Sequence, residues 1–164
     1  MNALSIKMQA LGIPISMLGP IIAQAEQEYP HECCGMIFGA RAKGALTRVR
    51  PCANVQDKYH ALDPKNFPRT ATAAYFIDPK ELLAIQKEMR ENGEEMRVIY
   101  HSHINAGAYF SEEDKRVALC EGEPAYPGVA YLVLSVLQGK VQDGNLYDWN
   151  PAKKDFLTRT PVST

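Results

Sequence analysis

Apolar positions along the chain recur at two spacings, and each predicts a different element. Ile21, Ile22, Ala25 and Tyr29 follow a helical period, which predicts a helix over about Met17 to Tyr29 with Ser16 as its cap. Pro20 is expected in its first turn, where a missing N–H costs nothing, and Pro30 stops it. Leu82, Ile85 and Met89 mark the inner face of a second helix. Its punctuation is complete: Asp78 as cap, Pro79 at the first helical position, Glu81 closing a capping box, and Gly93 beyond the end. A third helix is expected from Ser111 to Glu121, halted by Gly122.

Short apolar runs predict the strands. Met36 to Phe38 ends at Gly39, and Leu46 to Arg50 is its expected antiparallel neighbour across a turn containing Gly44. Tyr75 to Ile77 and Arg97 to His103 follow. Gly128 to Val136 is apolar without alternation, as in a central strand covered on both faces. The tail adds Leu146 to Trp149 and Phe156 to Thr158 around turn signals at Asp143-Gly144 and Asn150-Pro151. Residues 52–73 keep no period and read as a functional or mobile loop. Helices and strands are interspersed without regular alternation, so the expected fold is α/β, a curved mixed β-sheet flanked by helices. With no repeat or linker in view, residues 1–164 are read as a single domain.

Composition narrows the class. A chain of 164 residues with 46% hydrophobic side chains can bury a self-sufficient core. That excludes disorder and a disulfide-stapled miniprotein. Lys and Arg number 18 against 19 Asp and Glu, with no basic block, which argues against a nucleic-acid partner. Cysteines 33, 34, 52 and 120 form no Cys-x-x-Cys pair and suit a reducing, cytoplasmic setting. Cys33 and Cys34 read as buried small hydrophobes, with a reactive thiol near His31 as the alternative. Lys7, the apolar stretch Leu11 to Ile22 and Ala23-Gln24-Ala25 have the outline of a signal peptide. Pro14, Gly19 and Pro20 interrupt that stretch, and cleavage after Ala25 would remove most of the first helix. No run reaches the ~18 to 20 apolar residues of a membrane span.

The chemistry concentrates in Val98-Ile99-Tyr100-His101-Ser102-His103 and Ser111-Glu112-Glu113-Asp114. Residues two apart on a strand share a face, so His101 and His103 stand side by side while Ser102 points away. Two imidazoles so placed can chelate one ion, and Asp114 in the first turn of the next helix is the natural third ligand. The ordinary alternative is a pair of polar residues at a strand end and a Ser111–Asp114 helix cap. The two readings are compatible, because a helix start holds such residues firmly.

His101-Ser102-His103, seven intervening residues and Ser111-x-x-Asp114, with Glu32 upstream in Tyr29-Pro30-His31-Glu32-Cys33-Cys34-Gly35, resembles the signature of the JAMM (MPN-plus) metalloproteases. The Glu-Cys-Cys-Gly and Tyr-Phe-Ser-Glu-Glu-Asp-Lys contexts look like its stand-alone prokaryotic members. The resemblance implies a JAMM/MPN-like fold, related to that of cytidine deaminases, and a zinc peptidase or isopeptidase. It makes His101, His103 and Asp114 the Zn2+ ligands, Glu32 the general acid/base and Ser111 a hydroxyl supporting the tetrahedral intermediate. It further implies, as substrate, the C-terminal Gly-Gly tail of a ubiquitin-like or sulfur-carrier protein. Residues 52–73 and 104–110 are the expected groove walls, and Tyr109 and Phe110 read either as groove lining or as packed loop anchors.

One departure stands out: many members carry proline after the second His, where this chain has Ile104. It affects the rim of the site, not the spacing. The rivals are a non-catalytic MPN-type interaction module and a zinc hydrolase of other substrates. A helical zincin fails on His31-Glu32-Cys33-Cys34-Gly35, and a deaminase fails because Pro51-Cys52 lacks its second cysteine. Association into homo-oligomers is left open.

Overall fold

The computed structural model describes residues 1–42 and 44–161. Helices α1 (Ala3–Ala10) and α2 (Ile15–Glu28) precede the antiparallel strands β1 (Cys34–Ala40) and β2 (Leu46–Cys52). Helix α3 (Gln56–Leu62) and helix α4 (Pro79–Asn92) then lead into β3 (Glu94–Ile104) and helix α5 (Glu112–Ala118). A hairpin of β4 (Leu119–Cys120) and β5 (Glu123–Pro124) follows, then β6 (Ala130–Leu137), β7 (Lys140–Asn150) and β8 (Asp155–Thr158). The main sheet has six strands in the order β2-β1-β3-β6-β7-β8. Among the described residues, only β3 and β6 pair in parallel, which makes it the expected mixed sheet.

Side-chain alternation divides the core between the sheet's two faces. On one, Ile37, Val98, Tyr100, Leu132, Leu134 and Leu146 pack with Leu4 and Met8 of α1 and Leu18, Ile21 and Ala25 of α2. On the other, Met36, Phe38, Ile99, Tyr131 and Val133 pack with Ile85 of α4, Ala118 of α5 and Phe156. Strand β6 is covered on both sides, which explains its unbroken apolar run. The segment with the outline of a signal peptide is thus a turn and a helix built into the core. Among the described residues, no helix is long and apolar enough to cross a membrane.

Several expectations need correction. Helix α1 was not foreseen; Asn2 caps it by accepting from the Ser5 N–H at 2.9 Å. Ser16 lies inside α2 and does not cap it, and Pro20 sits beyond the first turn on the exposed side, where the carbonyl it leaves free can meet water. Residues 52–73 contain α3. Tyr75 to Ile77 forms no strand, because the Asn54 side chain and the Val55 N–H take up the Phe76 backbone in place of a ladder. Asp78 caps α4, but Glu81 forms an ion pair with Arg50 at 2.9 Å instead of closing a capping box.

Helix α5 ends at Ala118, three residues short of the expected Glu121, because Glu121 and Gly122 (φ 53° and 81°) turn the β4–β5 hairpin. The Asp143-Gly144 turn signal falls inside β7. The β6–β7 reversal is made by Gln138 and Gly139, both with positive φ (50° and 81°), as a type I′ turn requires. Gly144 instead allows close packing: a Cβ there would meet Leu134 Cδ2 at 3.1 Å.

Candidate metal centre

His101 and His103 lie near the C-terminal end of β3, between its neighbours β1 and β6. They follow Ile99 onto the sheet face that packs against α4 and α5, while Ser102 points to the other face and accepts the Cys33 N–H at 2.8 Å. The turn from 105 to 110 then carries the chain to α5. Phe110 packs between Tyr131, Tyr147 and Phe156 and anchors that turn, whereas Tyr109 stays exposed at the rim with its ring edge against His103.

A complete capping box sets the start of α5. Ser111 Oγ accepts from the Asp114 N–H at 3.0 Å, and Asp114 Oδ2 accepts from the Ser111 N–H at 2.9 Å. This box swings the Asp114 carboxylate onto both imidazoles. His101 Nε2 lies 3.0 Å from Oδ1 and His103 Nε2 3.0 Å from Oδ2. All three residues are buried, and their ligand atoms lie within 4.8 Å of one another.

The donor chemistry fits a cation at this point. His103 Nδ1 is 2.9 Å from the Gly107 carbonyl, which can only accept, so Nδ1 carries a proton and Nε2 is the nitrogen turned to Asp114. His101 Nε2 meets the Asp114 carboxylate outside good hydrogen-bond geometry, its Nδ1 is buried with no partner among the described residues, and its ring stacks on Tyr75 at 4.7 Å. Two imidazole nitrogens and one carboxylate are the donor types of a catalytic zinc site with an open position. Burial alone would raise the Asp114 carboxyl; the two imidazoles outweigh it and hold it well below the usual range. Burial would likewise lower His103, and Asp114 reverses this.

Glu32 reaches the same place from β1. Cys34 pairs with His101, so extending the antiparallel register places Glu32 opposite His103. Its backbone is clamped: the N–H donates to the Ala71 carbonyl at 2.8 Å, and the carbonyl accepts from Asn54 Nδ2 at 2.8 Å. Burial raises the Glu32 carboxyl to about 8, with His103 opposing the shift and the Asp114 charge adding to it. Glu32, His103, Ser111 and Asp114 line one cleft of about 170 Å³. Its walls come from both expected segments, through Arg69 and Thr72 on one and Ile104, Ala106 and Tyr109 on the other.

Cys33 and Cys34 are buried, and burial pushes Cys33 up to about 12 and Cys34 higher still. His31 faces Asp57 at 3.8 Å. The two cysteines are packing residues, while His31 is exposed. Asn54, Arg69 and Tyr75 were missed as parts of the site, because nothing in an irregular stretch distinguishes a residue that folds back on a distant strand.

The sequence matches the family described as prokaryotic homologs of the JAB domain over residues 14–150. The desampylase of Haloferax volcanii is 28% identical over 106 residues, 65% of this chain and 63% of that protein. The CysO-cysteine peptidase of Mycobacterium tuberculosis is 29% identical over 108 residues, 66% of this chain and 65% of that protein. Under two thirds of the length of these relatives is therefore matched. The solution structure of protein DSY2949 from Desulfitobacterium hafniense superposes with a TM-score of 0.65 at 26% identity, covering 90% of this chain and 88% of that one. A protein from Salinibacter ruber shares the fold with a TM-score of 0.58 at 22% identity, over 90% and 87% of the two chains. With the match running from Pro14, just before α2, to the last residue of β7, this chain belongs to the prokaryotic JAB-domain family, the JAMM/MPN group that its His-x-His and Ser-x-x-Asp motif resembles.

Proposed function

We propose that the protein is a zinc-dependent peptidase that hydrolyses the bond after a C-terminal Gly-Gly of a ubiquitin-like or sulfur-carrier protein. The observation that carries this reading is the buried His101, His103 and Asp114 cluster, whose ligand atoms lie within 4.8 Å of one another beside a clamped Glu32. The names of the relatives, a desampylase and a CysO-cysteine peptidase, support the substrate class.

His101 Nε2, His103 Nε2 and an Asp114 oxygen would hold the zinc. A zinc ion so held would supply Lewis acidity, acidifying water and polarising a carbonyl. Glu32 takes the proton of the attacking water and returns it to the departing amine. Ser111 Oγ already accepts the Asp114 N–H, so its own O–H is free to donate to the developing oxyanion. A Gly-Gly tail suits the cleft because an extended segment without side chains can pass between Tyr109 and the 69–73 wall.

The test pairs metal analysis with mass spectrometry of carrier proteins from the same host. His101→Ala with His103→Ala should lose zinc. Glu32→Gln should keep zinc and lose turnover by at least about 100-fold. Zinc at full stoichiometry in the double variant overturns the ligand assignment. Efficient hydrolysis of generic peptides with every carrier left intact overturns the substrate.

A further inference from the structure

The cleft holds a cation that the chemistry above does not use. Arg69 lines it together with Glu32, His103, Ser111 and Asp114. Arg69 is exposed, and its Nη1 makes one long bond, 3.4 Å, to the Ala73 carbonyl. Among the described residues, no carboxylate oxygen lies within the 4.0 Å of an ion pair with it, whereas Arg48, Arg50 and Arg116 are each paired.

Its backbone is nevertheless fixed. Buried Gln56 donates Nε2 to the Arg69 carbonyl at 2.9 Å, and Asp57 Oδ1 accepts from the Ala71 N–H at 2.7 Å. The Ala71 carbonyl in turn accepts from the Glu32 N–H at 2.8 Å. The segment carrying the free guanidinium is therefore bonded to the residue carrying the proton-handling carboxylate, and the two share one wall.

A guanidinium is a rigid planar fork that matches a carboxylate bidentately. In the proposed reaction the departing amine collects its proton from Glu32, so the leaving residue passes along this wall. If that residue is a single amino acid, its carboxylate is attached to the same Cα as the departing nitrogen. Each added residue carries the carboxylate ~3.3–3.6 Å further away. A lysine side chain leaving an isopeptide bond brings no carboxylate to this place.

Resting on the peptidase reading, we infer that Arg69 is a specificity residue that grips the free α-carboxylate of the released amino acid. The protein then removes one C-terminal residue from a carrier tail. The amide C–N bond after Gly-Gly breaks, the oxygen of water joins the glycyl carbonyl carbon, and a proton of water passes through Glu32 to the amine. A glycine carboxylate and a free amino acid remain.

The experiment uses three tail peptides: one ending Gly-Gly-Ala with a free carboxylate, its carboxamide, and Gly-Gly-Ala-Ala. Binding to zinc-loaded Glu32→Gln protein is measured alongside turnover by the wild type. The free acid should bind at least about tenfold tighter than the carboxamide, as a charge-assisted pair implies, and better than the longer peptide. Adding Arg69→Ala should bring acid and carboxamide within about twofold of each other, and Arg69→Lys should keep an intermediate preference. A preference that survives Arg69→Ala, or no preference at all, overturns the inference. Arg69-dependent binding without turnover of any peptide would instead count against the peptidase reading and leave the carboxylate site standing.

Discussion

Asn54 uses its whole side-chain amide to hold Glu32 in place. Nδ2 donates to the Glu32 carbonyl at 2.8 Å and the Ala74 carbonyl at 3.1 Å, while Oδ1 accepts from the Gln56 N–H at 3.0 Å and the Phe76 N–H at 3.1 Å. Asn54→Ala strands all four backbone groups. At roughly 1 kcal/mol net per bond, discounted because the residue is only half-buried, the cost is about 2–4 kcal/mol. For a chain of this size that lowers Tm by about 5–15 °C.

Asn54→Asp separates hydrogen bonding from shape. It keeps both accepting bonds but turns a carboxylate oxygen toward two carbonyls, so the folded state favours the protonated acid. A folded-state pKa raised above the unfolded ~3.9 gives stability that is present below that value and lost as pH rises through the folded pKa. Measured against wild type at each pH by urea denaturation, Asn54→Asp should therefore recover toward pH 4 and be weakest at pH 7. Both variants should bind zinc at wild-type stoichiometry and turn over more slowly, because Asn54 positions Glu32 and touches none of the three imidazole and carboxylate donors. A Tm loss below about 2 °C for Asn54→Ala, or a flat pH profile for Asn54→Asp, would refute the clamp.

Other outcomes test separate parts of the structure. Ser111→Ala should keep zinc, slow turnover and cost about 1 kcal/mol in urea denaturation for the lost cap; unchanged turnover would reduce Ser111 to a capping residue. A Cβ at Gly35 would overlap the buried Tyr100 ring and hydroxyl, so Gly35→Ala should lower Tm by at least about 5 °C. That penalty should largely vanish in a Tyr100→Ala background, and a penalty of equal size there would show that the clash is not its cause. Native-state labelling with a thiol reagent should modify Cys120, which is exposed, and spare the buried Cys33, Cys34 and Cys52 until denaturant is added; prompt loss of a second thiol would contradict their burial.

What could be read from the sequence was whatever local periodicity encodes. The two histidines share a face because a strand alternates, and Asp114 faces them because Ser111 caps its helix. Both rules operate over a few residues, so both survive without coordinates. The β6 run was legible because burial on both faces erases polar positions.

The failures arose where a side chain's role is set by a distant partner. Asp143-Gly144 looks like a turn, yet Gly144 is in β7 because Leu134 crosses it closely. Glu81 has the spacing of a capping box, but Arg50 on β2 offers a full charge and outcompetes the backbone N–H. Tyr75 to Ile77 has strand composition, but the sheet places no neighbour beside it, and Asn54 satisfies its backbone instead. The contribution of Arg69 depends on three hydrogen bonds spanning residues 32 to 71, which no short-range pattern carries.

The placement of His101 and His103 on β3 ties the centre to the most slowly exchanging part of the molecule. β3 has neighbours on both edges and apolar packing on both faces, so its amides should open to solvent only when the whole chain unfolds. The two imidazoles therefore cannot come apart by local fraying. An ion bound only by the native state therefore adds its binding free energy to global stability, about 4 kcal/mol at a free concentration a thousandfold above its Kd. Under the proposed zinc assignment, metal supply and protein lifetime would become one equilibrium: withdrawing the ion would lower the unfolding free energy of the entire chain and expose it to proteolysis. The cleft walls at 69–73 and 105–109, built from turns, can still open on their own.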